Sequence, residues 1–129
     1  MANPDECRFT QTHEWVAVNG GTAVVGISDH AQHEITDVVF VELPRKGRQV
    51  KKGEPCAVVE SVKAAFDIYA PVSGEIVEVN EAVVGEPALV NQSPYDRGWF
   101  FKLKPADPAE ASSLMTHGDY QKHVKSGAH

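Results

Sequence analysis

In "VVESVKAAFDIYAPVSGEI", residues 58–76, a single lysine, Lys63, sits among small and apolar residues between two β-type runs. Glu60 lies three places before it and Asp67 four places after. Either this is an ordinary solvated lysine, the common case, or its amine is being presented to something. Other constellations with chemical potential are weaker. "HAQH" sets His30 and His33 one helical turn apart, a spacing that metals use, but no well-placed third ligand accompanies them, so no metal is expected. Thr12, His30 and Asp67 supply residue types of a hydrolase without a nucleophile elbow. "KKGEP" lacks the Gly-Lys-Ser/Thr ending of a phosphate loop. Cys7 and Cys56 form no CxxC pair and read as reduced structural thiols. Taken alone, Glu14 and Asp67 read as surface acids and His30 as a helix histidine.

The elements that must position Lys63 are mostly strands. "EWVAV", "TAVVGI", "VVFVEL", "AVVES", "FDIYA", "GEIVEV" and "WFFKL" are short β-type runs bounded by Gly, Pro, Asn or Asp, a spacing that suggests a sandwich or barrel. "SDHAQHEI" reads as a helix with Ser28 or Asp29 as N-cap. "DPAEASSLM" offers Asp107 as N-cap, Pro108 at the first helical position and Glu110 to complete a capping box. "GDYQKHVK" adds a short helical turn before a frayed "SGAH" tail. "GEPCAVV" at 53–59 returns as "GEPALVN" at 85–91, and each copy reads as a turn followed by a strand. Such a repeat could pair two sheets about an approximate two-fold axis.

Between Pro55 and Ala70 the chain then runs as a strand, a tight connection and a return strand, with "SVKA" at the bend and Lys63 at the tip of a hairpin. Val58, Val59, Ile68 and Tyr69 anchor the legs while Ala64 and Ala65 keep the tip slender. Pro71 cannot continue a central ladder, and Gly74 is read as free to take a turn conformation.

A chain of 129 residues fits one domain, here 1–129, with a core over about 8–104 and a C-terminal helical extension over about 107–125. Twelve Lys and Arg against 18 Asp and Glu give a formal charge of −6, the wrong sign for nucleic acid. No run approaches the roughly 18 apolar residues of a membrane span, and the N-terminus lacks the apolar core of a signal peptide. A soluble cytoplasmic protein is expected, or a matured mitochondrial matrix protein in a eukaryote.

From "RFTQTHEWV" through "GWFFKLKP" the sequence resembles the H proteins of the glycine cleavage system, lipoyl carriers of the biotinyl/lipoyl-domain family. "ESVKAAFDIYAPVSGEI" carries most of the likeness, supported by "THEW", "VGISDHAQ", "VVFVELP" and "LVNQSPY". The resemblance implies a mainly β fold, a flattened barrel or sandwich of two antiparallel sheets with quasi-two-fold symmetry and short helices near the N-terminal third and at the C-terminus. It makes Lys63 the residue that carries lipoic acid in amide linkage. A biotin carrier would typically flank its lysine with methionines, where this chain has Val62 and Ala64.

The implied chemistry explains the slender support, since an enzyme that modifies or uses the carrier must admit the lysine into a deep pocket. Lysine plus lipoyl makes an arm of about 14 Å, from roughly ten bonds of standard length. Its dithiolane opens at one sulfur, within thiol–disulfide exchange chemistry. By resemblance, a pyridoxal-phosphate glycine decarboxylase loads the oxidised arm with the aminomethyl group left when glycine loses carbon dioxide. A tetrahydrofolate-dependent aminomethyltransferase captures the one-carbon unit and releases ammonia, and dihydrolipoamide dehydrogenase reoxidises the dithiol. The chain is thus expected to be a monomeric shuttle and not an enzyme. A lipoate ligase or lipoyl transferase would attach the group, with Glu60, Asp67 and Gly74 in recognition. In the family the loaded arm rests in a cleft whose positions match Thr12, Glu14, His30 and Asp67. Glu75, Glu78, Glu81 and Glu86 form an acidic run that could steer docking.

Two residues depart from the family pattern: Phe66 stands where serine is usual, and Thr36 replaces a usual glycine in "EITDVV". They leave an alternative open, an H-protein-like lipoate-binding protein carrying sulfur intermediates in heterodisulfide-reductase-like sulfur oxidation.

Overall fold

Alternating apolar positions shape most of the chain, and in the computed structural model, which describes residues 3–107 and 109–126, they form two antiparallel sheets. The strands are β1 (Arg8–Phe9), β2 (Glu14–Asn19), β3 (Thr22–Ile27), β4 (Val38–Glu42), β5 (Gln49–Val50), β6 (Pro55–Ser61), β7 (Ala65–Tyr69), β8 (Gly74–Val79) and β9 (Phe101–Pro105). The larger sheet runs β1-β2-β3-β9-β8-β5 and the smaller β4-β6-β7. They face each other as an open sandwich and do not close into a barrel. Val25, Val41, Val59, Val72, Ile76, Phe101 and Leu103 are fully buried between them. Each such side chain contributes roughly 1.5–3 kcal/mol by leaving water.

Helices fill the margins: α1 (Asp29–Ile35), α2 (Glu81–Gly85), α3 (Leu89–Gln92), α4 (Ala109–Ser112) and α5 (His117–Lys125), preceded by a 3-10 turn at Pro4–Glu6. Of the two candidate caps for α1 it is Ser28 that acts, its Oγ accepting from Ala31 N at 3.1 Å. Asp107 accepts from Ala109 N at 3.0 Å, as expected of a cap. The reciprocal half of the capping box is replaced, because the Glu110 carboxylate turns to Ser73 N (2.8 Å) and Ser73 Oγ (3.2 Å) and ties α4 to the start of β8. The expected place of Pro108, and of the frayed end at 127–129, lies outside the described residues.

The echoed segment needs correction. Its first copy is β6, but its second copy folds into the helical turn α3. β6 pairs with β4 and β7, not with the second copy. In "GEPALVN", Leu89 and Val90 follow one another into the core, a burial pattern that suits a helical turn better than a two-residue alternation. The last helix is longer than the short turn expected, with Thr116 as its cap and Tyr120 as its buried anchor. Tyr120 stacks on Phe9 at 4.5 Å, and its hydroxyl meets Ser28 Oγ (2.6 Å) and His13 Nδ1 (2.7 Å).

Gly74 is not a turn glycine. It opens β8 between β5 and β9, and a Cβ there would come within 2.2 Å of the Lys104 carbonyl oxygen. Backbone cannot retreat as a flexible side chain would, so Gly74→Ala is expected to cost about 2–3 kcal/mol, read as a lower urea midpoint. Thr36 is the converse case. It caps the C-terminus of α1 at φ 65° and ψ −153°, a region that glycine occupies freely and a β-branched residue does not. Thr36→Gly is expected to stabilise the protein by about 1 kcal/mol, the relief of strain outweighing the extra freedom of the unfolded chain. An unchanged or lower urea midpoint would remove strain from this account.

Candidate functional site

The connection between β6 and β7 is only Val62, Lys63 and Ala64, with Lys63 at its centre. Ser61 makes so tight a tip possible. Its Oγ accepts from the backbone N–H of Lys63 (3.1 Å) and of Ala64 (3.2 Å), while its own N–H donates to the Ala64 carbonyl (2.8 Å). Val62 N donates to Asp37 O at 3.0 Å, which moors the tip to the loop after α1. Lys63 Nζ reaches the Glu34 carbonyl at 3.1 Å, one of the orphan carbonyls in the last turn of α1. Lys63 is therefore exposed, and among the described residues its amine donates to this backbone oxygen.

Beside the tip lies a cleft of about 570 Å³. Ile27, Ala31, Ile35, Val59, Phe66 and Ile68 give it an apolar floor and walls, and Thr12, His13, Glu34 and Asp67 join Lys63 at its polar margin. Of the four cleft residues expected, Thr12 and Asp67 line it. His30 stands behind His13, their rings 5.1 Å apart, and lies 3.6 Å from Glu34 on its own helix. His33 lies 3.5 Å from Asp29. Among the described residues no group of three or more His, Cys, Asp or Glu is arranged to hold a metal.

Glu14 is far from a surface acid, being 1 % exposed. Its Oε1 accepts from the hydroxyls of Thr10 and Thr12, both at 2.5 Å, and its Oε2 from Tyr69 N at 3.1 Å. Because Glu14 is on β2 and Tyr69 on β7, the carboxylate bridges the two sheets. It lines a separate recess of about 350 Å³ that shares Thr12 with the cleft. Burial pushes the carboxyl above its ordinary 4.5, and the hydrogen bonds of Thr10, Thr12 and Tyr69 pull the other way. Cys7 and Cys56 are free and buried, and loss of water is the chief cause that pushes their thiols up to about 11 and about 12.

Glu60 is exposed and lies opposite Ala65 across the β6–β7 ladder, two strand positions from the tip turn. Gly74 belongs to the other sheet. The sequence reading missed His13, Ser61 and Glu34. The Ser61 side chain left a trace in "ESVKA", but nothing local marks His13, whose φ of 77° brings it to the cleft margin, or the backbone carbonyl of Glu34.

The sequence profile of the Glycine cleavage H-protein family matches residues 7–127. The chain belongs to that family. It is 55% identical over 128 residues to the glycine cleavage system H protein of Thermus thermophilus, covering 99% of this chain and 100% of that one. It is 56% identical over 117 residues to the glycine cleavage system H protein of Phenylobacterium zucineum, covering 91% and 97%. The crystal structure of a glycine cleavage system H protein from Mycobacterium marinum superposes with a TM-score of 0.88 at 37% identity, covering 95% of this chain and 99% of that one. The carrier role in glycine cleavage inferred from the motifs is the role of this family, and the sulfur-oxidation reading gains no support from these relatives. Among the described residues no helix is long and apolar enough to cross a membrane.

The raised Glu14 carboxyl makes a signed prediction. A carboxyl raised by folding binds its proton more tightly in the folded state, so its favourable contribution is full below the ordinary 4.5 and is lost as pH rises through the raised value. The unfolding free energy of wild type minus that of Glu14→Gln is therefore expected to fall across that window in denaturant titrations from pH 4 to 7. A difference independent of pH would contradict it.

Proposed function

We propose that this chain is a single lipoyl-carrier domain of the glycine cleavage system, with lipoic acid in amide linkage to Lys63 and no catalysis of its own. The observation that supports this most directly is one exposed lysine on a three-residue hairpin tip beside an apolar cleft of about 570 Å³. When bound, the lipoyl group supplies a dithiolane that takes up a carbon group or electrons by opening at one sulfur.

The chain's own residues do the rest. Ser61 holds the tip so that Lys63 projects in one direction, and α1 offers the amine a carbonyl from which it is easily released. In attachment, neutral Nζ would attack the activated carboxyl of the lipoyl donor, forming the C–N bond as the bond to the activating group breaks, and one Nζ proton would pass to solvent or to a base of the attaching enzyme. The cleft wall of Ile27, Ile35, Val59 and Phe66 excludes water, which shelters a hydrolysable aminomethyl cargo. Asp67 at the cleft margin stabilises the cationic amine of that cargo. Glu14 acts at one remove, because the donors of Thr10, Thr12 and Tyr69 already occupy its oxygens. His30 acts through His13. Phe66, the departure from the expected family pattern, adds to the apolar wall and leaves the cleft open.

On this reading the partners are the glycine decarboxylase, the aminomethyltransferase and dihydrolipoamide dehydrogenase, together with a lipoate ligase or lipoyl transferase. The protein works as a monomer in the cytoplasm. The deciding test is mass spectrometry after treatment with a lipoate ligase. One lipoyl addition is expected on the peptide containing Lys63 and none on Lys63→Ala, and a modified Lys63→Ala would refute the assignment. After loading from glycine and the decarboxylase, Asp67→Asn is expected to release ammonia several-fold faster than wild type at equal lipoylation.

A further inference from the structure

The outer face of the small sheet carries an apolar strip that neither the core nor the arm cleft uses. A bulge between Val38 and Phe40 breaks the inward-outward alternation of β4, so two consecutive large apolar side chains face solvent. Val39 is 55% and Phe40 45% exposed, and Val62, directly before Lys63, is 69% exposed. The strip is continuous with the tip, since Val38 pairs with Ser61, Phe40 with Glu60, and Val62 N bonds to Asp37 O. Apart from Lys63 itself the charges beside it are mainly acidic, and Arg48, which shares a recess with Glu42, Val58 and Asp67, is paired with Glu54 at 2.7 Å. Glu60 lies opposite Phe40 and Ala65, Asp67 opposite Val58, and Glu42, also opposite Val58, closes the β4 end. The acidic run of residues 75–86 is a poorer docking surface, because Glu78 is paired with Lys102 at 3.5 Å and Glu75 lies opposite Lys104.

We infer that Val39, Phe40 and Val62, rimmed by Glu42, Glu60 and Asp67, form the face on which the lipoate-attaching enzyme docks. This rests on the proposed lipoylation of Lys63 and identifies the surface that is recognised before the group is attached. The complementary surface on the enzyme is an apolar depression edged with Lys or Arg beside the entrance that admits the lysine. Apolar contact fixes the residence time, and the acids govern the rate of encounter. Val39 and Phe40 are about half exposed and lie outside the buried core clusters, so replacing them costs far less than a core substitution, and a thermal melt of each variant separates affinity from folding.

The test measures binding of the unmodified full chain to a lipoate ligase by calorimetry, together with kcat and KM for lipoylation. Phe40→Ser and Val39→Ser are each expected to raise Kd and KM about tenfold with kcat unchanged and cooperative thermal unfolding retained well above the assay temperature. Glu60→Gln is expected to raise them a few-fold at low salt and much less at high salt, while Glu81→Gln leaves them unchanged. Kd within twofold of wild type in both serine variants, with Lys63 still lipoylated, overturns the docking face and leaves the carrier reading intact. Absence of lipoylation in wild type overturns both. A wild-type dimer in sedimentation that Phe40→Ser converts to monomer also overturns the inference, because a second copy then covers the strip.

Discussion

The tip of the β6–β7 hairpin holds its shape because one buried hydroxyl, Ser61 Oγ, accepts from the backbone N–H of both Lys63 and Ala64. On the proposed function the lysine enters another protein's pocket and needs a support that is thin and stiff at once, and these demands conflict. A thin support has few neighbours to pack against, and a bare three-residue turn leaves backbone groups without partners. Ser61 resolves the conflict with polar bonds inside the tip itself, so that Val62, Lys63 and Ala64 remain exposed without becoming loose. The rest of the molecule braces this unit from behind: β4 pairs along β6, the loop at Asp37 takes Val62 N, and α1 ends where Lys63 can rest against its last carbonyls.

A second constraint follows from leaving the sandwich open. β7 is an edge strand that among the described residues pairs with β6 alone, so its outward N–H groups require other acceptors. Tyr69 finds one in the Glu14 carboxylate, carried across from the large sheet. Burying that carboxylate costs solvation, and the donors of Thr10, Thr12 and Tyr69 offset much of the cost. The position of the cleft depends on this bridge, since β7 contributes Phe66, Asp67 and Ile68 to its wall while the segment before Glu14 contributes Thr12 and His13. An acid taken from the family pattern as a cleft ligand is thus, in the structure, a buried tie between the two sheets.

How far the sequence could be read followed from the range of the interactions involved. The strands and the α1 cap were legible because alternation and a serine before a helix are local signals, and the hairpin tip at Lys63 was legible because small residues separate two β-type runs there, whereas a role for its amine came only from the resemblance to the family. The second "GEP" segment misled, since the same three residues open a strand when Cys56 and Ala57 follow and a helical turn when Leu89 and Val90 must both enter the core. Gly74 was recognised as special for the wrong reason, because the approach of Lys104 from a distant strand leaves no mark beside it. Glu14 read as a surface acid for the same reason: Tyr69 is 55 positions away. Glu110 read as half of a capping box, yet Ser73, 37 positions away, claims its carboxylate.

Edge exposure explains why the apolar strip and the acids occur together. Among the described residues β4 pairs with β6 alone, and an edge strand bearing Val39 and Phe40 on its solvent side invites association with a second copy. Three features oppose such pairing: the bulge at Val39 kinks the edge, the Asn91 side chain accepts from Val38 N at 2.9 Å, and α2 packs against the strand. Like charges on a copy of the same face, at Glu42, Glu60 and Asp67, add repulsion that a formal charge of −6 reinforces at longer range. A basic surface reverses the sign of that term while keeping the apolar contact. On the proposed reading the same side chains discriminate against self-association and in favour of a cationic partner, so an apolar strip can stay exposed beside Lys63 without pairing copies of the chain.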